Sequence, residues 1–242
     1  MAKHSNNAFL FVIVTVALDM MGFGIIVPVL PSLLEEVMQL PPEDAVSYGG
    51  YLTAVYAVAN FVATPTLGNL SDRYGRRPVL LASIGTLAVD FLIMGFASSF
   101  ALLVVGRVLT GVSSATFATA NAYIADVTEP EARGRAFGML GAAFGVGFII
   151  GPALGAAFST FGPRAPFFAA AAIAGLNFLY GLFVLPESLA EADRRPFDWR
   201  RANPFGAFLH FRKLPGVRWF LVATGIYGFA HTVYPSTWSF HG

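Results

Sequence analysis

The stretch Gly68-Asn-Leu-Ser-Asp-Arg-Tyr-Gly-Arg-Arg-Pro-Val-Leu80 decides how this chain is read. Asp72, Arg73, Arg76 and Arg77 crowd together in a chain that is only 12% charged. Gly68 and Gly75 bracket the charges, and Pro78 opens the next apolar run. Both flanks are apolar over lengths that suit a membrane span, which needs about 20 mostly apolar residues. The stretch is therefore predicted to be a short charged loop at a bilayer surface, joining a second span to a third.

Composition supports that frame. The 242 residues are 56% hydrophobic, above the roughly 45–50% typical of globular domains, and the mean hydropathy is +0.65. A net charge of +1 argues against a broad nucleic-acid surface. The absence of cysteine excludes a disulfide framework, a cysteine-ligated zinc site and a thiol nucleophile. His4, His210, His231 and His241 have no metal-ligand spacing, and no nucleophile–base pair or phosphate loop stands out, so catalysis is not expected.

Working outward, spans are predicted over residues 8–30, 48–69, 78–97, 100–125, 136–161, 167–185 and 219–238. The first is read as a retained span, because its apolar run exceeds the about 7–15 residues of a signal-peptide core. Pro28 and Pro31 are placed at its exit. Three regions follow: a six-helix part over 1–186, a polar linker over 187–218, and a seventh helix within 219–242. Asn203-Pro204 begins a predicted short amphipathic helix in the linker, and Arg194, Arg195, Arg200 and Arg201 favour anionic lipid.

The N-terminus and the second, fourth and sixth connections hold 13 of the 15 Lys and Arg residues. Only Arg164 among loop residues dissents. The positive-inside rule then puts the N-terminus in the cytoplasm.

Three ionisable residues fall within predicted spans: Asp19, Asp90 and Arg107. At a rise of ~1.5 Å per residue, both aspartates lie roughly 16–18 Å from the basic end, near the middle of a hydrocarbon core about 30 Å thick. A charge facing lipid there is costly, so all three are expected to face one another, a neighbouring helix or a cavity. If all are ionised, one carboxylate lacks a cation. One of Asp19 and Asp90 is therefore expected to carry an exchangeable proton or to meet a cationic ligand. The alternative is a structural Asp–Arg clamp. In the fifth span Gly147, Gly151 and Gly155 share one face, with Pro152 in the same turn, which suits either close packing or a hinge. Tyr56 and Phe117 are among the rings that could line an apolar ligand path.

Several stretches together resemble the major facilitator superfamily. The opening stretch resembles its loop signature between spans two and three. Arg107-Val-Leu-Thr-Gly111 resembles its fourth-span signature, and Gly147-Phe-Ile-Ile-Gly-Pro-Ala-Leu-Gly155 the fifth-span signature of its antiporters. Leu18-Asp-Met-Met-Gly-Phe-Gly-Ile-Ile-Val-Pro-Val-Leu-Pro31, Ala122-Tyr-Ile-Ala-Asp126 and Leu185-Pro-Glu-Ser188 are similar to the tetracycline-efflux-like branch.

The resemblance implies an all-α membrane protein: a six-helix bundle built as a 3+3 inverted repeat, plus a seventh transmembrane helix. It implies proton-driven efflux of a small hydrophobic drug or drug–cation complex across the inner (plasma) membrane by alternating access. The proton gradient is the energy source and no cofactor is needed. Asp19, Asp90 and Arg107 match charges that the family uses for substrate or proton handling. Gly68, Asp72, Arg73, Gly75, Arg76, Arg77 and Asp126 form its cytoplasmic gating loop, with Arg73 or Arg77 as the candidate partner of Asp126. Asp72 is expected to meet a helix end in a second half of the transporter. The family has two six-helix halves, so the chain is expected to be an incomplete portion, inactive by itself. Transport of another small solute and a non-transporting binding or dimerising module are the alternatives.

Overall fold

A computed structural model describes residues 2–114, 116–204, 219–220 and 222–227. Those residues form helices and connections, with no strand among them. The elements are α1 (Ala2–Met38), α2 (Pro42–Tyr74), α3 (Arg76–Gly95), α4 (Phe100–Ser113), α5 (Thr116–Val127), α6 (Arg133–Ser159) and α7 (Ala165–Val184). Short 3-10 turns lie at Pro130–Ala132 and Glu191–Asp193. Residues 219–220 and 222–227 are helical, in keeping with the start of the seventh predicted span. The rest of that span and the predicted amphipathic helix after Pro204 lie outside the described residues.

Three boundaries differ from the sequence expectation. First, α1 does not end at Pro28 or Pro31 but runs through both to Met38. Proline removes one backbone donor, yet Ile25, Ile26, Val29, Leu30, Leu33 and Leu34 all sit in one apolar cluster, so burial holds the helix together. Second, the fourth span is two helices, α4 and α5. Ser113 and Ser114 at the break donate to the carbonyls of Leu109 and Thr110, both at 2.9 Å, a side-chain bond that bends helices. Third, the opening stretch is hardly a loop. Asp72 and Arg73 lie in the last turn of α2, Arg76 begins α3, and Gly75 alone separates the helices. Gly68 lies inside α2 with open space at its Cβ position, so it does not shape the turn.

Among the described residues, five stretches are long and apolar enough to cross a membrane: 8–26, 76–95, 100–127, 130–159 and 165–184. They make this a multi-pass membrane protein. The 33-residue α2 is long enough but more polar. Its Thr53, Thr64 and Thr66 hydroxyls are satisfied by carbonyls one turn back, which lowers the cost of placing them in a span.

The packing is symmetric about the middle of the chain. With α4 and α5 counted as one span, α1 packs chiefly on α6, α2 on α4, and α3 on α7. Exchanging the first three spans for the last three maps the α1–α6 pair onto α4–α2 and returns α3–α7 to itself. This is the signature of a 3+3 repeat. Two apolar clusters fill the bundle, one at each end. On α1, α4–α5 and α7, the polar residues Asp19, Arg107, Thr110, Ser113, Thr116 and Asn177 fall between them along the helix.

The glycine stripe of α6 makes the α1 contact. A Cβ at Gly147 would run into the Ala17 carbonyl oxygen, one at Gly151 would meet that of Met21 at 2.5 Å, and one at Gly155 that of Ile25 at 2.8 Å. Residues 17, 21 and 25 repeat every four positions, as do the glycines, so two backbones run side by side. Pro152 packs into the notch left by Gly24, whose own Cβ would lie 2.8 Å from the proline Cδ.

Candidate functional site

Two sites emerge, one at the basic end of the bundle and one at mid-height. The basic-end site is built around Gly75, whose φ of 105° and ψ of 160° favour glycine. No local side chain caps α3. Instead, Glu187, from the turn after α7, accepts the first amides of α3: Arg76 N at 2.7 Å and Arg77 N at 3.2 Å. It also accepts Ser188 N and Leu189 N, at 3.0 and 3.1 Å. A carboxylate at a helix N-terminus meets both unpaired donors and the positive end of the dipole. A Cβ on Gly75 would collide with this carboxylate.

Arg76 is the hub of the same site. It binds Asp72 at 2.6 Å, Ser71 Oγ at 2.7 Å and Asp126 at 3.2 Å, so it joins the end of α2 to the end of α5. The arginine that braces Asp126 is therefore Arg76, and not Arg73 or Arg77. Arg73 lies over the Tyr74 ring, and Arg77 donates to the Leu182 carbonyl at 2.7 Å. The difference is geometric. Arg73 belongs to α2 and Arg77 turns toward α7, whereas Arg76 opens α3 beside α5. Asp126 also accepts from Ser188 Oγ at 3.1 Å, and Tyr123 OH donates to the Pro186 carbonyl at 3.0 Å. Asp72 has a partner within this chain.

At mid-height, α1, α3 and α4 bring the intramembrane charges near one another. Asp90 is fully buried on α3, and Arg107 on α4 is 4% exposed. Arg107 follows Gly106, the residue of α4 that lies against the Asp90 carboxylate, but no ion pair joins Arg107 to Asp90 among the described residues. Asp90 Oδ1 and the Arg107 Nε and Nη2 atoms are buried without hydrogen-bond partners. The Asp–Arg clamp, the alternative to an exchangeable proton, is thus not closed by a direct hydrogen bond at these atoms. Thr110 Oγ1 lies within hydrogen-bond reach of both Asp90 Oδ2 and the Gly106 carbonyl. Gly106 permits this approach, since a Cβ there would stand 2.9 Å from Asp90 Oδ1.

Asp19 lines a separate small cleft with Met20, Phe23, Leu87, Thr110, Ser113, Ser114 and Phe117. Thr110 therefore belongs to both sites. The rings continue beyond the cleft. Phe23 lies 5.7 Å from Tyr56 and 6.3 Å from Phe148, and Phe117 lies 5.8 Å from Phe144. Among the described residues no group of three or more His, Asp or Glu could hold a metal ion.

The Major Facilitator Superfamily profile matches residues 12–241. The chain belongs to the major facilitator superfamily. Within it, the chain is 44% identical over 204 residues to the class C tetracycline resistance protein of Escherichia coli, covering 84% of this chain and 51% of that one. It is 45% identical over 183 residues to the class G protein of Vibrio anguillarum, covering 76% and 46%. The crystal structure of the human organic anion transporter MFSD10 (TETRAN) superposes with a TM-score of 0.70 at 28% identity, covering 82% of this chain and 52% of that one. The chain spans about half the length of the curated relatives it matches.

Membership of the superfamily gives the two sites a common frame. Gly75, Asp72, Arg76 and Asp126 meet at the basic end, Arg77 joins them only through its backbone N on Glu187, and Gly68 and Arg73 stand apart. Asp90 and Arg107 are buried on the adjacent helices α3 and α4, and Thr110, which reaches Asp90, also lines the Asp19 cleft. Glu187, Thr110 and Gly106 had no role in the sequence reading. Glu187 was visible only as part of Leu185-Pro-Glu-Ser188. Thr110 was visible as part of Arg107-Val-Leu-Thr-Gly111, and its four-residue spacing from Gly106 puts both on one helix face.

Proposed function

We propose that the chain forms the N-terminal half of a proton-coupled antiporter that exports hydrophobic drugs, tetracyclines among them, by alternating access. Residues 1–186 form the half, 187–218 the linker and 219–242 the first helix of a second half. The N-terminus faces the cytoplasm and the membrane is the inner (plasma) membrane. The proton gradient supplies the energy and no cofactor takes part. Transport needs the second half, so the chain alone is inactive. The resistance proteins of similar sequence support the drug class, and the apolar cleft at Asp19 suits a hydrophobic or cation-bearing ligand.

The observation that carries the mechanism is the position of Thr110. Its hydroxyl has one hydrogen but two acceptors within reach, Asp90 Oδ2 and Gly106 O. Both contacts are satisfied at once when Asp90 carries a proton: Asp90 Oδ2–H donates to Thr110, and Thr110 donates to Gly106 O. Loss of the proton leaves an anionic Asp90 beside the unpaired Arg107 nitrogens. Their attraction then draws α3 and α4 together. Because Thr110 also lines the Asp19 cleft, that movement reshapes the ligand site.

The test is tetracycline accumulation in inside-out vesicles under an imposed proton gradient, with the chain alone and with a relative's second half supplied. Accumulation is expected only with the second half, and Asp90→Asn should abolish its dependence on the gradient. Gradient-driven accumulation by the chain alone would refute the half-transporter reading. An unchanged pH profile in Asp90→Asn would refute the proton site.

A second reading, transport of an organic anion, is favoured by the buried, unpartnered Nε and Nη2 of Arg107. In that case an anionic solute should compete with tetracycline, and Arg107→Lys should weaken it.

A further inference from the structure

The linker does not leave the bundle when α7 ends. It turns back along α2. Arg195 N donates to the Asp72 carbonyl at 3.0 Å. Three residues later, Asn69 Nδ2 donates to the Asp198 carbonyl at 2.6 Å and Asp198 N donates to Asn69 Oδ1 at 3.4 Å. The strap advances from 195 to 198 while its contacts on α2 retreat from 72 to 69. It therefore runs antiparallel to α2, climbing from the basic end of the helix toward the bilayer. Asn69 is buried and uses both ends of its amide on the backbone of this one residue. Ala202, just beyond the strap, is also buried.

Its depth can be placed. The 33 residues of α2 span ~50 Å at ~1.5 Å per residue, against a hydrocarbon core of about 30 Å. If α2 is centred, about 10 Å projects at each end, and Asn69 lies roughly 7.5 Å in from Tyr74. Asp198 and its neighbours then sit at the headgroup layer. Trp199, next to Asp198, is 80% exposed, and Phe197 meets its ring edge-on at 5.0 Å. An exposed indole at that depth is an interfacial anchor. Arg195, Arg200 and Arg201 are exposed beside it. Residues 194–201 hold four arginines and one acid, Asp198, whose carboxylate is taken up by Arg200 N at 2.9 Å and lies 4.0 Å from Arg201 Nε, while Arg194 lies 3.9 Å from Glu191, just before the strap.

We propose that the Arg194–Arg201 strap, held on α2 by Asn69, is a docking site for anionic phospholipid headgroups, with Trp199 inserted beside them. The occupant is lipid because the basic groups and the exposed indole share one short segment at interface depth. A soluble phosphate would use the arginines and leave the indole in water. The surface is independent of which drug is carried.

The test uses the full chain with Trp219→Phe and Trp238→Phe, so that Trp199 is the sole tryptophan and can be excited selectively over the tyrosines. It is reconstituted in bilayers of phosphatidylglycerol and phosphatidylcholine in which one or the other carries brominated acyl chains. Trp199 emission should be quenched, at least roughly twofold more by brominated phosphatidylglycerol. The preference should vanish when all four arginines become Gln and persist when they become Lys. Asn69→Ala should weaken quenching by both lipids. No quenching by either lipid would mean that the strap faces water or protein, and would overturn the proposal. So would equal quenching by the two, or a preference erased by excess inorganic phosphate.

Discussion

Glu187 shows how one side chain can hold two distant parts of a membrane bundle. Its carboxylate receives four backbone amides, two of them from α3, more than a hundred residues away in sequence. Glu187→Ala leaves those donors without a partner and should destabilise the chain by about 1–2 kcal/mol, the upper range for a lost helix cap. Glu187→Gln keeps an acceptor but loses the charge, so it should cost less, on the order of 0.3–1 kcal/mol. Gly75→Ala puts a Cβ against the same carboxylate at a φ of 105° and should cost about 1–3 kcal/mol. Thermal unfolding in detergent gives the order Gln, then Ala or Gly75→Ala. Equal stability of Glu187→Ala and the parent would refute the cap. Thr110 carries the chemical prediction at this scale. Thr110→Val keeps the shape but removes the hydroxyl between Asp90 and Gly106, and Thr110→Ser keeps the hydroxyl. In the assembled transporter, valine should shift the pH profile of transport and serine should restore it. Matching profiles for the two variants would exclude the relay.

At the scale of elements, α6 carries two kinds of glycine, and sequence spacing separated them only in part. Gly147, Gly151 and Gly155 lie against the α1 backbone, whereas Gly141 and Gly145 have nothing within 4 Å of a Cβ. Gly151→Val should therefore force α1 and α6 apart and cost at least the roughly 1–3 kcal/mol of an overpacked core, while Gly145→Val should stay within about 1 kcal/mol of neutral. Unfolding temperatures of the two variants decide it, and equal losses would mean that α1 does not pack on this stripe. Most helices were legible because long apolar runs and the four-residue glycine repeat are local patterns. What was not legible depends on contacts distant in sequence. The continuation of α1 through Pro28 and Pro31 rests on burial of Leu33 and Leu34. The split of the fourth span rests on hydroxyls that satisfy the backbone within the helix. Choosing Arg76 over Arg73 and Arg77 required knowing that Gly75 alone separates α2 from α3, which aims three neighbouring arginines in three directions.

For the whole molecule, the distribution of charge predicts the orientation, and the dissenting Arg164 is met within the protein. Arg164 donates to Glu36 at 2.8 Å and to the Gly95 carbonyl at 2.9 Å, so it ties α1 to the end of α3 and has its charge met within the protein. The hub at the other end has spare connections. Asp72→Asn removes one partner of Arg76 but leaves Asp126 and Ser71, so the chain should lose less than about 1 kcal/mol while the assembled transporter is impaired. A larger loss in the isolated chain would make Asp72 a local structural residue instead. The chain lacks cysteine, so orientation can be read on a clean background. Ala132→Cys lies at the basic end of α6 and Ser159→Cys at the opposite end, and both positions are exposed. The excess of Arg and Lys at the α2–α3 end predicts that end to be cytoplasmic. A membrane-impermeant maleimide applied to intact cells should label Ser159→Cys at once and Ala132→Cys only after permeabilisation. The reverse pattern would place Asp72, Arg76 and Glu187 outside the cell, where they could not serve as a cytoplasmic latch.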